Sequence, residues 1–183
     1  FGDGGTSAAS DPTHAYALPG TYTVKLIAVT INGCSDSTTR TIVINPAPVA
    51  NFTSSTTCLN DQALFTNTST VYTGNITGYL WNFGDNTTAT TQNAVHKYTT
   101  AGTYNVSLTV TSDSGCTNTI LKPIIIAPMP VANFNVDNVC NGDTMVFINA
   151  SSIASGTLTY KWYFGDGDSA LTTEAKHKYD ADG

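Results

Sequence analysis

Apolar and polar residues alternate along most of this chain with a period of two, which is the period of half-buried strands. The clearest run is 103–111, where Tyr, Val, Leu and Val alternate with Asn, Ser and Thr. Residues 78–83 alternate in the same way, with Trp81 near the centre. Clusters of Gly, Asn, Asp and Pro separate these runs and mark turns. The pattern predicts antiparallel strands throughout and no helix.

The middle of the chain holds seven predicted strands, a number typical of an antiparallel sandwich. They are residues 49–54, 63–68, 78–83, 88–91, 94–98, 103–111 and 118–127. Two earlier strands, 21–30 and 38–45, are predicted to pair through a two-residue turn at Asn32-Gly33. Pro123 predicts an edge or a bulge within the last strand, because proline cannot donate to a ladder.

The pattern is also a repeat. Phe-Gly-Asp begins at Phe1, Phe83 and Phe164, and His-x-Tyr follows each copy at the same distance. A period of about 82 residues identifies a tandem array. We therefore predict the C-terminal part of one domain at 1–46, a complete domain at 47–128 and the N-terminal part of another at 129–183. Since Phe1 aligns with the interior of a unit, we expect the chain to be a segment of a longer protein.

Composition narrows the classes of function. Only 11% of residues are charged and the net charge is −6, with seven Lys and Arg, so no nucleic-acid partner is expected. No run of 18 apolar residues predicts a membrane span. The four cysteines recur with the repeat, which favours an oxidising, extracellular compartment. Metal ligation by cysteine is the alternative, but the sequence has no C-x-x-C.

The aspartates of the Phe-Gly-Asp turns are the first candidate site. Calcium is one interpretation, with Asp85, Asp166 and Asp168 as weak candidate ligands, because calcium takes six to eight oxygens. The simpler interpretation is that Asp3, Asp85 and Asp166 each accept backbone N–H bonds within their own turns. No cofactor is predicted.

The histidines His14, His96 and His177 are the second candidate. They lie one repeat apart, so separate domains keep them from forming one site, and a packed or hydrogen-bonded strand histidine is expected. No Ser or Cys stands in a nucleophile motif, and Glu174 is the only glutamate. The segment is therefore predicted not to be an enzyme.

The repeat resembles the PKD (polycystic kidney disease) domain. The residues that carry the resemblance are Trp81, Phe83, Gly84, Asp85, His96, Tyr98, Gly102, Tyr104, Val106, Leu108 and Val110. The resemblance implies an all-β fold of tandem immunoglobulin-like antiparallel β-sandwiches. It also implies extracellular work in cell-surface proteins, secreted hydrolases or adhesins. Cysteine-bearing copies in a chain rich in Thr and Asn are similar to Bacteroidota surface proteins, including gliding adhesins exported by the type IX system.

The implied topology bears on the cysteines. Cys58 precedes the second strand at one end of a sandwich, whereas Cys116 follows the sixth strand at the other end. A strand of eight residues spans roughly 27 Å, too far for a disulfide. We therefore expect pairing between repeats, the Cys58-type cysteine of one with the Cys116-type cysteine of the next. Cys34 repeats the position of Cys116, and Cys140 repeats the position of Cys58.

Three short sequences resemble the Bacteroidota O-glycosylation motif, in which Asp-Ser or Asp-Thr precedes an apolar residue or Thr. The candidate acceptors are Ser37, Thr144 and Ser169, all at predicted turns or loops.

The leading expectation for function is a structural and adhesive stalk or filament on a bacterial surface, with neighbouring repeats as partners and an unknown polysaccharide or protein ligand. The alternative is an accessory module of a secreted polysaccharide- or protein-degrading enzyme. A third possibility is a fibre of parallel chains, with lateral contacts at Ile27 and Val29.

Overall fold

A computed structural model describes residues 1–55, 57–140 and 142–179, and these residues form strands, turns and loops without a helix. None of them therefore belongs to a helix long and apolar enough to cross a membrane. The strands are β1 Gly20–Val29, β2 Ser35–Ile44, β3 Phe52–Ser54, β4 Thr57–Cys58, β5 Gln62–Asn67, β6 Ile76–Asn82, β7 Thr88–Ala89, β8 Ala94–Lys97, β9 Gly102–Ser112, β10 Thr117–Ala127, β11 Phe134–Val136, β12 Thr144–Asn149, β13 Trp162–Tyr163, β14 Ser169–Ala170 and β15 Ala175–Lys178.

The chain folds as two compact units. One comprises Phe1–Ser55, Leu64–His96 and Tyr104–Ile124, and the other comprises the remaining described residues.

The middle repeat builds two mostly antiparallel sheets. One has the strand order β4-β10-β9-β6-β7 and the other the order β3-β5-β8. Each of the seven predicted strands has a counterpart here, so the prediction of an immunoglobulin-like all-β fold is confirmed. Strand β4 was not predicted, since two residues are too few to show a period; it pairs in parallel with the end of β10. That pairing involves only Ile126 and Ala127 of β10, so Pro123 lies on an open edge among the described residues.

The core of the middle repeat lies between these sheets, and both sheets contribute aromatic rings to it. Phe52, Phe65 and Trp81 are each at most 1% exposed. Val106, Leu108 and Val110 of β9 are fully buried, as the alternation predicts, while the predicted inward residue Tyr104 is only half-buried.

The hairpin β1–β2 is regular, pairing Gly20 with Ile44 at one end and Val29 with Ser35 at the other. Its loop is longer than the predicted two-residue turn: Thr30 donates its N–H to the Cys34 carbonyl at 2.8 Å, with Gly33 at φ 84° between them.

Leu26 and Ala28 share one face of β1 by the alternation, and both are exposed because no second sheet packs on this hairpin among the described residues. Ile27 and Val29 are exposed too. Lateral contact between chains at this pair stays a prediction.

The third repeat pairs β11-β12-β15 in one sheet and β13-β14 in another. Phe147 and Ala175 are the buried residues of its described part, whereas Phe134 is 51% exposed. Its described residues provide no counterpart of β9 or β10.

Candidate functional site

Each repeat brings one turn aspartate against one strand histidine, an arrangement we call the Asp–His cluster. The histidine Nε2 lies 2.5–2.6 Å from the second carboxylate oxygen in all three copies. The pairs are Asp3 with His14, Asp85 with His96 and Asp166 with His177. In the second and third copies the histidine lies on β8 or β15, so the pair ties a turn to a strand.

The first carboxylate oxygen binds within its own turn, as the simpler interpretation expects. It accepts the backbone N–H two residues later, from Gly5 at 2.9 Å, Thr87 at 3.1 Å and Asp168 at 3.0 Å. Each aspartate therefore uses both oxygens, one to hold its turn and one to hold the histidine.

Aromatic rings enclose the histidine of each cluster. The imidazole stacks on the phenylalanine two residues before the aspartate, with ring centroids 4.1–4.3 Å apart. In the first and third copies a tyrosine packs its ring edge on the imidazole. That tyrosine donates its O–H to the phenylalanine carbonyl at 2.9 Å, from Tyr16 to Phe1 and from Tyr179 to Phe164.

These contacts keep the aspartates ionised. The hydrogen bond from His14 lowers the pKa of Asp3, helped by the Gly5 N–H, and the bond from His177 does the same for the pKa of Asp166. Partial burial raises the pKa of Asp85, but the hydrogen bonds from Thr87 and His96 outweigh it and the net shift is downward. Since an ionised carboxylate only accepts, Nε2–H of each histidine is the donor.

The cluster lacks the parts of a hydrolytic triad. The Thr87 hydroxyl lies 3.3 Å from Nε2 of His96, but Gly5 and Asp168 occupy the same position in the other copies, so the hydroxyl is not part of the repeat. Nε2 is hydrogen-bonded to the aspartate, whereas an activated nucleophile would need that nitrogen to accept its proton. The pair therefore has the geometry of a structural hydrogen bond.

A glycine in the turn allows a close approach of the backbone. Gly84 has φ 81°, and a Cβ at this position would lie 2.9 Å from the Asn105 carbonyl oxygen on β9. Gly2 repeats the geometry, with φ 93° and the Thr23 carbonyl oxygen 2.8 Å away. The Phe-Gly-Asp sequence thus combines a left-handed turn, a contact with the next long strand and the acceptor for the histidine.

The calcium candidates are distributed unevenly. Asp166, Asp168 and His177 each offer one ligand atom, all within 4.8 Å of one another. Asp85 has the Thr87 hydroxyl where the third repeat has Asp168. Two carboxylates and an imidazole fall short of the six to eight oxygens that calcium takes, and calcium at these residues stays a prediction.

All four cysteines are free thiols; Cys34 and Cys140 are exposed, and Cys58 and Cys116 are half-buried. The predicted glycosylation acceptors lie on strands rather than in turns or loops: Ser37 on β2, Thr144 at the start of β12 and Ser169 at the start of β14. All three are exposed, and their modification stays a prediction.

Sequence reasoning identified the aspartates and histidines separately but missed that they are partners. The signal was present: each histidine follows its aspartate by eleven residues in all three repeats. A constant separation between two polar residues indicates contact even where their distance along the chain is long.

The comparison with protein families decides the identity of this fold. The family model described as PKD domain matches residues 1–44, 45–124 and 127–183. The chain belongs to the PKD domain family. Its tandem arrangement, predicted from the repeat, is confirmed by the three matches. PKD domains are non-catalytic accessory modules, which agrees with the prediction that this segment is not itself an enzyme.

The relatives of this PKD chain include proteases. It is 44% identical over 75 residues to the pre-pro-metalloprotease PrtV of Vibrio cholerae, covering 41% of this chain and 8% of PrtV. It is 31% identical over 143 residues to collagenase ColA of Clostridium perfringens, covering 76% of this chain and 13% of ColA. The crystal structure of the PKD1 domain of PrtV is 41% identical, with a TM-score of 0.42, covering 44% of this chain and 96% of that domain.

The chain spans about a tenth of the length of these curated relatives. The expected relationship to Bacteroidota adhesins is not supported by them.

Proposed function

We propose that this segment is an accessory PKD module of a secreted enzyme that degrades proteins or polysaccharides. The relatives support this reading better than the adhesive stalk, because they are a metalloprotease and a collagenase. Collagen lies outside cells, which supports an extracellular location. The metalloprotease and the collagenase give no support to gliding or to the type IX system.

One observation of geometry carries the non-catalytic role. The polar site that recurs in every repeat is occupied by its own partners, since both oxygens of each aspartate and Nε2 of each histidine are hydrogen-bonded within one domain. Such a site stabilises a domain instead of turning over a substrate. In the complete repeat the tryptophan is also used inside, since Trp81 is fully buried and donates Nε1–H to the Thr91 carbonyl at 2.9 Å.

The test replaces the whole segment, residues 1–183, in the parent protein by a flexible Gly/Ser linker of equal length. Cleavage of a small soluble substrate is expected to stay unchanged, while cleavage of an insoluble fibrous substrate falls because the enzyme is no longer held on it. Loss of activity on the soluble substrate would contradict the proposal. Equal activity on the insoluble substrate would also contradict it.

A second candidate, a spacer or stalk, is favoured by the repetition itself. Three copies follow one another at nearly constant spacing, and Pro46-Ala47-Pro48 is matched by Pro128-Met129-Pro130 between them. Proline restricts the linker backbone, so each copy adds length. Electron micrographs of the parent distinguish the two: beads in a long line favour the stalk, and a compact particle with one or a few beads favours the accessory module.

A further inference from the structure

The cysteines fall into two classes by their place in the repeat. Cys58 and Cys140 form the first class, in a turn where the cysteine carbonyl accepts the N–H of Asp61 or Asp143 at 3.1 and 3.0 Å. Cys34 and Cys116 form the second class, at the tip of a hairpin where the cysteine carbonyl accepts an N–H four residues earlier at 2.8 and 2.9 Å. Since each class keeps the same turn hydrogen bond in both copies, we transfer a contact seen in one copy to the equivalent cysteine.

The first class lies beside the residue that ends a repeat. Cys58 on β4 pairs in parallel with Ala127, and the next residue, Leu59, donates its N–H to the Ala127 carbonyl at 2.7 Å. Ala127 directly precedes Pro128 of the linker. The turn cysteine is therefore fixed to the last strand residue before the following repeat.

The second class lies against the equivalent residue of the preceding linker. Sγ of Cys116 is 4.0 Å from the carbonyl oxygen of Asn45. Asn45 precedes Pro46 as Ala127 precedes Pro128, so Asn45 and Ala127 occupy one position of the repeat. Both classes thus lie beside the same position of the repeat: the turn cysteine pairs with it from the repeat before the linker, and the hairpin cysteine places its Sγ near its carbonyl oxygen from the repeat after the linker.

Pairing within one repeat is excluded by the length of one strand. Cys58 pairs with Ala127 at the end of β10, while Cys116 directly precedes Thr117 at its start. Eleven strand residues span roughly 33 Å, and a disulfide needs Cα atoms about 4.4–6.8 Å apart.

We propose that, wherever two complete copies of this repeat follow one another, the turn cysteine of the first forms a disulfide with the hairpin cysteine of the second. Two thiols react with one external disulfide, such as oxidised glutathione; the new S–S bond forms, and two molecules of the reduced thiol leave with the two protons and two electrons. The bond links two domains across the proline-containing linker and restricts its bending. Formation of this disulfide in the cell depends on the extracellular location proposed above, because thiols stay reduced in the cytosol.

The test duplicates residues 45–126 within the full chain, so that Ile126 is followed by a second copy beginning at Asn45. This junction repeats the native Ile44-Asn45 sequence. The test version keeps only Cys58 of the first copy and Cys116 of the second, with every other cysteine changed to Ser. A matched control keeps Cys58 and Cys116 of the first copy, and a second control keeps Cys116 of the first and Cys58 of the second. Free thiols are counted by alkylation and mass spectrometry after equilibration with oxidised and reduced glutathione.

The test version is expected to lose both thiols while the two controls keep theirs. Two free thiols in the test version, or a disulfide in the control confined to one copy, would overturn the proposal. Tryptophan fluorescence under reducing conditions checks that all three proteins are folded.

A second version guards against misfolding of the duplicated chain. Appending residues 103–127 after Gly183 completes the third repeat and adds a second hairpin cysteine, whose expected partner is the native Cys58. Non-reducing peptide mapping of a Cys116→Ser form is expected to join these two, and alkylation of both in the folded protein would count against the bond. Because both tests use purified protein and a chemical oxidant, their failure would leave the proposed function intact.

Discussion

The middle and third repeats build the same aromatic cluster but bury it to different extents. Phe52 meets Trp81 at 5.2 Å and 73°, and Phe134 meets Trp162 at 5.4 Å and 77°. Phe65 and Phe147 lie 5.7 and 5.8 Å from the same tryptophans. Yet Phe52 is fully buried, whereas its equivalent Phe134 is 51% exposed.

The difference separates two contributions to the fold. The third repeat has strands β11 to β15 and reproduces the ring geometry, so short strands and turns are enough to orient the rings. Burial in the middle repeat comes with β9, whose Val106, Leu108 and Val110 are absent from the described part of the third repeat. Orientation is therefore local, while most of the hydrophobic stabilisation depends on the two long strands.

The largest effect is expected from truncating the buried ring. Phe52→Ala should cost about 3–5 kcal/mol, because it leaves a cavity in a closed core. The matched change Phe134→Ala should cost about 1 kcal/mol, since half of that ring already meets solvent. Urea unfolding followed by Trp81 fluorescence for the first and Trp162 fluorescence for the second, each with the other tryptophan changed to Phe, measures both. Equal losses of unfolding free energy would contradict the comparison, because they would show that the exposed Phe134 stabilises the third repeat as much as the buried Phe52 stabilises the middle repeat.

The turn glycine sharpens the comparison further. Gly84→Ala should cost about 3 kcal/mol, because a left-handed alanine is strained and its Cβ would meet the backbone of Asn105. Gly165→Ala has the same left-handed backbone, with φ 91° but nothing within 4 Å, so only about 1–2 kcal/mol is expected. Thermal unfolding of the two variants gives the order, and the account fails if Gly165→Ala is the more damaging.

The Asp–His cluster predicts a dependence on pH. Asp85→Asn should cost about 1 kcal/mol at pH 7, since it weakens the bonds to His96 and Thr87. The folded pKa of Asp85 is lowered, so its contribution is complete above the unfolded pKa of about 3.9 and is lost as the pH falls through the folded value.

Denaturant unfolding from pH 7 to about pH 2 should therefore show the gap between the wild-type and Asp85→Asn free energies of unfolding begin to narrow below about pH 4 and close as the pH falls through the folded pKa of Asp85. The exposed Asp61→Asn change serves as the control, expected to alter stability little at any pH. A gap between wild type and Asp85→Asn that widens on acidification would refute the assignment.

The smallest effect is expected at the last position of the turn. Asn86 adopts φ 71° where Gly167 of the third repeat has φ 104°. Asn tolerates this conformation, so Asn86→Gly should change the free energy of unfolding by less than about 1 kcal/mol. Differential scanning calorimetry that finds a large loss would show that the Asn86 side chain has a role the backbone does not explain.

Much of this fold follows from the sequence because its signals are local and repeated. The alternation on β9 predicts which residues enter the core, and the period predicts the array. The two-residue strand β4 could not be predicted, because it has no period and its partner, the end of β10, lies about 70 residues away. The exposure of Leu26 likewise depends on whether another sheet packs on the hairpin, which alternation alone does not show.

The candidate site divides in the same way. Turn chemistry predicts one hydrogen bond of each aspartate, because the backbone N–H that donates to the carboxylate belongs to the residue only two positions later. The bond to histidine joins a turn to a strand, and only the recurring separation of eleven residues indicates it. The glycosylation candidates are predicted at turns or loops, but Ser37, Thr144 and Ser169 lie on strands, because pairing with neighbouring strands overrides the loop preference of small polar residues.

The central claim is that the short strands orient the aromatic cluster and the long strands close it. Acrylamide quenching of single-tryptophan forms tests it directly. The emission of Trp81 should be blue-shifted and resist quenching, whereas the emission of Trp162 should be quenched readily in the 183-residue chain and become protected once residues 103–127 are appended after Gly183. Trp162 emission that is already protected in the 183-residue chain, or that is still quenched readily after the addition, would contradict the claim.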